Sequence, residues 1–143
     1  MQPGIYILIL SNASAEVVVG SLGVHTFSAG YHAYVGSALG PGGLARVSRH
    51  IRLSRLRDKN PRWHIDYLLT DERFSLIRVY CVHTSDRLEC PLAQALDMQV
   101  IPDFGSSDCS CPGHLFYSPG DPEETVTRAF RSLTVDHTVH HLN

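Results

Sequence analysis

The sequence predicts an α+β (α/β mixed) fold: a small central, mainly antiparallel sheet flanked by helices. Three observations lead there. After Gly4, the run Ile5-Tyr6-Ile7-Leu8-Ile9-Leu10 is apolar, β-branched and aromatic without polar alternation, the pattern of a central strand covered on both faces. Behind the breaker Gly40-Pro41-Gly42-Gly43, Leu44, Val47 and Ile51 recur at helical spacing, so a helix over 43–57 should pack on that sheet. A third run, 74–83, again reads as strand and is followed by a second helical stretch.

Taken in order, 16–20 and 31–36 read as strands with glycines at their turns, and 11–14 as a turn. On the 43–57 helix, Arg46 and His50 stand four apart and share a face other than the apolar stripe. Asn60-Pro61 should end that helix. Residues 63–69 read as a short helix or an extended segment, with helix preferred. The 74–83 strand would place Ile77, Val79 and Cys81 on one face and Leu76, Tyr80 and Val82 on the other. Pro91 fits only the first turn of a helix, so the next one is expected over 89–98. Residues 100–117 read as a loop-rich return holding two of the four cysteines, with a final strand at 114–117. Asp121-Pro122-Glu123-Glu124 has the form of a capping box with proline at the first helical position, opening a terminal helix to about 133 with Val126, Phe130 and Leu133 inward. The tail, with His137, His140 and His141, is expected to fray.

At 143 residues the chain is one domain: 1–117 form its body, and 118–143 a helix and tail packed on it. A hydrophobic fraction of 43% against 18% charged residues excludes a disordered chain. No run approaches the length that spans a bilayer, and the start lacks the basic region of a signal peptide, so the expected compartment is the cytoplasm. The net charge of −2 is uninformative, but its distribution is not. Arg46, Arg49, Arg52, Arg55, Arg57, Lys59 and Arg62 place seven of the twelve Lys and Arg in seventeen residues. Six are arginine, whose planar fork suits phosphate; the competing reading is a solvated helix face.

Gly4-Ile5-Tyr6 and Tyr34-Val35-Gly36, with Leu44, Arg46, Val47 and His50 behind them and Glu89 ahead of Leu92-Ala93-Gln94-Ala95-Leu96, give the chain a resemblance to the GIY-YIG nuclease superfamily over about residues 1–117. Valine replaces isoleucine in the second triplet. Trp63-His64-Ile65-Asp66-Tyr67 and Phe104-Gly105-Ser106-Ser107-Asp108-Cys109 resemble a stand-alone, mostly microbial subfamily catalogued as a domain of unknown function. The sequence departs from better-known members at Ser37-Ala38, where a lysine is common, and at 103–108, where an asparagine often follows the glutamate-bearing helix.

The resemblance implies a small endonuclease acting on DNA in repair or processing of unusual structures. Tyr6 would act as general base or orient the attacking water, Tyr34 would assist, Arg46 would bind the scissile phosphate, and Glu89 would hold Mg²⁺ or Mn²⁺. On chemistry alone His50 competes as base, since an ordinary imidazole titrates near 6.5 and a phenol near 10. Each residue also has a structural reading: core aromatics for the tyrosines, a surface charge and its polar neighbour for Arg46 and His50, a helix cap for Glu89. The runner-up function is a non-cleaving nucleic-acid-binding module. RNA is not excluded, and a homodimer or a repair-protein partner stays open. A third reading rests on Cys90, Cys109, Cys111 and His114, a thiolate and imidazole set suited to Zn²⁺ in a zinc-stabilised or redox-responsive interaction protein; reduced, partly buried thiols are the alternative.

Overall fold

The computed structural model describes residues 2–104 and 111–142. Its chain order is β1 (Gly4–Asn12), β2 (Ala15–Val18), β3 (Val24–Phe27), β4 (Gly30–Ala38), α1 (Ala45–Leu56), α2 (His64–Leu69), β5 (Phe74–His83), α3 (Glu89–Ala95), β6 (Gln99–Ile101), β7 (Leu115–Ser118), α4 (Glu123–Ser132) and β8 (Thr138–His141). Six strands form one sheet in the order β6-β7-β4-β1-β5-β8, and each pairing is antiparallel. Strands β2 and β3 make a separate two-stranded ribbon.

The unbroken apolar run has its physical reason in the position of β1 between β4 and β5. Ile5, Ile7 and Ile9 pack in one core with Leu92, Ala93 and Leu96 of α3 and Val126, Ala129 and Phe130 of α4. Tyr6, Leu8 and Leu10 face a second core with Val47 and Leu53 of α1 and Ile65, Leu68 and Leu69 of α2. Each fully buried valine, leucine or isoleucine among them contributes about 1.5–3 kcal/mol over exposure. The sheet thus separates two helical layers, and the α+β expectation holds.

Several local expectations are corrected. The faces of β5 do not alternate strictly, because the β1–β5 register runs from Ile9↔Arg78 to Leu10↔Leu76. Ile77 and Arg78 occupy one step of the partner strand, a β-bulge. Leu76 therefore joins Val79 and Cys81 in one core, while Ile77 joins Tyr80 and Val82 in the other. The second helix stops at Ala95, since the chain must extend by Gln99 to pair with β7. The terminal helix starts at Glu123 without the expected box. Asp121 instead accepts from the Glu123 N–H at 3.0 Å and from buried Arg78, and Glu124 pairs with Arg128. The tail does not fray: β8 pairs with the β5 edge from Cys81↔Thr138 to Arg78↔His141.

Candidate functional site

The register of β1 on β4 sets Tyr6 opposite Gly36 and Leu8 opposite Tyr34. Tyr6 and Tyr34 are therefore diagonal neighbours on one face, a spacing that aromatic side chains bridge. The Tyr6 ring lies directly over Gly36, in space a Cβ there would occupy. Gly4 has an equivalent constraint, with the Val82 carbonyl and the Leu44 methyls against it. The glycines of the two triplets are thus explained by close approach.

Helix α1 brings His50 onto the same face. His50 is fully buried, and its Nε2 lies 2.8 Å from the Tyr6 hydroxyl. Its Nδ1 is buried without a hydrogen-bond partner. Burial raises the Tyr6 phenol well above its ordinary value; the neighbouring Tyr34 and Glu89 add to this, and Arg46 opposes it. Burial also lowers His50 to about 4, against Asp66 and with help from Arg49 and Arg46. At neutral pH the pair is a neutral phenol and a neutral imidazole. The expectation that His50 titrates near 6.5 is corrected, because the site holds the ring away from water.

Arg46 lies beside this pair and donates from Nη1 to the Ser37 carbonyl at 2.7 Å. Its guanidinium stacks 4.8 Å from the Trp63 ring centre, and that of Arg49 stacks at 4.3 Å. Arg49 donates through both terminal nitrogens to Asp66, at 3.1 and 2.9 Å. Asp66 is wholly buried and also accepts from the backbone N–H groups of Arg62 and Trp63, at 2.8 and 3.0 Å. Burial pulls the Asp66 carboxyl upward, but these donors together hold it below the ordinary value. Sequence reasoning used Trp63 and Asp66 only as motif residues and missed their work in fixing the arginines. The available signal was an aspartate three residues into a short helix, where it can cap the first turn.

The basic stretch is not uniformly available to a ligand. Arg49 is held by Asp66, Arg52 faces Asp58 at 3.5 Å, and Arg57, in a left-handed conformation at the end of α1, donates to the Phe74 carbonyl at 3.2 Å. Arg55, Lys59 and Arg62 are exposed and make no ion pair among the described residues. The site therefore keeps Arg46 beside the tyrosines and three outward cations beyond it.

Glu89 opens α3, with Pro91 in the first turn as expected. It reaches the site electrostatically, through its effect on Tyr6, and its Oε1 stands 3.6 Å from Nδ1 of buried His114. On the other side of that ring, Nε2 is 3.9 Å from the Cys90 sulfur. Cys90, Cys111 and His114 bring their donor atoms within 4.8 Å of one another and could hold a metal ion. Cys109, Ser106 and Asp108 lie outside the described residues. Sequence proximity joined Glu89 to Cys90, but only folding brings both against His114.

A family model described as domain of unknown function DUF123 matches residues 5–135. No curated protein and no solved structure matches the chain. No helix among the described residues is long and apolar enough to cross a membrane.

Proposed function

The chain belongs to the family described as domain of unknown function DUF123, and on that footing we propose a metal-dependent endonuclease of the GIY-YIG kind, hydrolysing DNA phosphodiesters in repair or processing of structured DNA. The observation that carries this reading is the buried Tyr6–His50 contact at 2.8 Å, with Arg46, Tyr34 and Glu89 all close enough to bear on the Tyr6 proton.

The protonation states favour one of the roles open to Tyr6. An ordinary phenol titrates near 10, while His50 titrates near 4. With the phenol raised and the imidazole lowered, handing the Tyr6 proton to His50 is unfavourable without added positive charge. Tyr6 therefore works as an orienting group: its hydroxyl is fixed by His50 and aligns the attacking water, with Tyr34 beside it. Arg46, tethered through Nη1 to Ser37 and hydrogen-bonding with Tyr6, would turn its remaining N–H groups to a phosphate oxygen.

Glu89 fits the requirement for a hard cation. Mg²⁺ or Mn²⁺ keeps most of its waters and takes further oxygens from substrate phosphate, so one carboxylate, here partly open to solvent, is an adequate protein ligand. Such an ion supplies charge neutralisation at the phosphate and a more acidic water. Glu89 would hold it, and Arg46 would share the phosphate charge.

The test is cleavage of labelled duplex, single-stranded, flap and junction DNA by wild type, Glu89→Ala and Arg46→Ala with Mg²⁺, Mn²⁺ or EDTA. Wild type should cut, EDTA should abolish cutting, and Arg46→Ala should slow turnover roughly a hundredfold to a thousandfold, the usual cost of one electrostatic donor. Unchanged divalent-dependent cleavage by Glu89→Ala would remove the proposal. Salt-sensitive binding without turnover would favour the non-cleaving module, which the outward Arg55, Lys59 and Arg62 also suit.

A further inference from the structure

The second cluster at this end of the molecule has a chemistry of its own. Cys111 and His114 sit on a short segment clamped by two backbone hydrogen bonds, from Asp103 N–H to the Pro112 carbonyl at 2.7 Å and from His114 N–H to the Phe104 carbonyl at 2.8 Å. Gly113 lets that segment lie against the Ile101 carbonyl, where a side chain would collide. Cys90 arrives from the first turn of α3. The donors therefore come from two independently positioned pieces of chain, as a built site requires.

Around one tetrahedral zinc ion, Zn–S near 2.3 Å and Zn–N near 2.0–2.1 Å put a sulfur and a nitrogen about 3.6 Å apart. Cys90 Sγ and His114 Nε2 stand 3.9 Å apart and all three donor atoms lie within 4.8 Å of one another, so an ion among them asks the donors to close in by no more than about 1 Å. Two thiolates and an imidazole are soft donors that favour Zn²⁺ over Mg²⁺. With Nε2 towards the Cys90 sulfur, Nδ1 faces the Glu89 carboxylate, the outer partner that a metal-bound histidine commonly has.

We propose that Cys90, Cys111 and His114 form a zinc site, with His114 ligating through Nε2 and directing Nδ1–H at Glu89. The ion would tie the start of α3 to the 111–114 segment and so fix the carboxylate that precedes Cys90. The zinc site stands by itself; its consequence for Glu89 rests on the nuclease reading. Without metal, the same contact is a thiol–imidazole hydrogen bond.

Zinc content per chain after reconstitution and removal of excess metal, together with the absorption spectrum of the cobalt-substituted wild-type protein, reads the site without reference to cleavage. One zinc per chain, and cobalt bands showing thiolate charge transfer and tetrahedral coordination, are expected. Cys90→Ser and Cys111→Ser should lose the charge-transfer intensity stepwise, and Glu89→Gln should keep the site with zinc affinity about 10- to 100-fold weaker. No bound zinc in wild type, or cobalt bound without thiolate bands, would overturn the site. Unchanged zinc affinity in Glu89→Gln would overturn its link to Glu89. Zinc bound to a protein that does not cut DNA would retain this site and remove the nuclease reading.

Discussion

Replacing Gly36 by alanine puts a methyl group where the Tyr6 ring lies. Neither ring nor strand can move freely, because Tyr6 is 2% exposed and both residues sit in the β1–β4 ladder. The substitution should cost about 1–3 kcal/mol of stability, the usual range for overpacking, and displace the Tyr6 hydroxyl from His50. Urea unfolding reads the first effect and the cleavage assay the second. Gly36→Ala with wild-type stability and activity would show that the ring is not seated there. The buried histidines give a second prediction at this scale. His32, whose Nδ1–H donates to Asn12 at 2.8 Å, and His50 are both lowered to about 4 by burial. Between pH 6.5 and about 4 the unfolded chain binds protons at these positions that the folded chain refuses. Each histidine therefore contributes stability above pH 6.5, about 3 kcal/mol of which is lost as pH falls through that window. His50→Gln should reduce the pH slope of unfolding free energy there by about 1.4 kcal/mol per pH unit; an unchanged slope would reject the assignment.

At the scale of elements, α1 and α2 are held to each other through Asp66 and Trp63. Asp66 caps the first turn of α2 and fixes Arg49, while Trp63 carries both Arg49 and Arg46 on its ring. Asp66→Ala removes these bonds together. Since Arg49 keeps about a third of its side chain in solvent, the loss should fall at the low end of the range for a broken buried pair, about 3 kcal/mol. Arg46 should also lose its fixed pose, so activity should fall more steeply than the folded fraction. Thermal melting and single-turnover cleavage of the same preparation separate the two. The motif around Trp63 was visible in the sequence, but the partner of Asp66 was not. Arg49 lies seventeen residues away on another helix, and nothing in local spacing chooses it over its basic neighbours.

Across the whole molecule, sheet and helices gather Tyr34, Arg46, His50 and Glu89 around Tyr6, while Arg55, Lys59 and Arg62 are exposed. If Arg46, Arg55, Lys59 and Arg62 each contact a phosphate, the logarithm of duplex affinity should fall with the logarithm of salt at a slope near −3.6. A filter-binding series across ionic strength measures it. A slope near zero would remove every nucleic-acid reading, whereas a slope near −5.4 would mean that Arg49 and Arg52 leave their carboxylates on binding.

The sequence by itself determined the α+β class, the central strand and the helix behind the glycine breaker, because apolar periodicity and chain-breaking residues act over a few neighbours. It also marked the two triplets, Arg46, His50 and Glu89. Only the tertiary structure decided the bulge that moves Ile77 to the other face, the pairing of the tail with β5, the protonation of Tyr6 and His50, and the approach of Glu89 to His114. Each depends on which strand edge, carboxylate or buried surface comes to lie opposite, and that is set by contacts far apart along the chain.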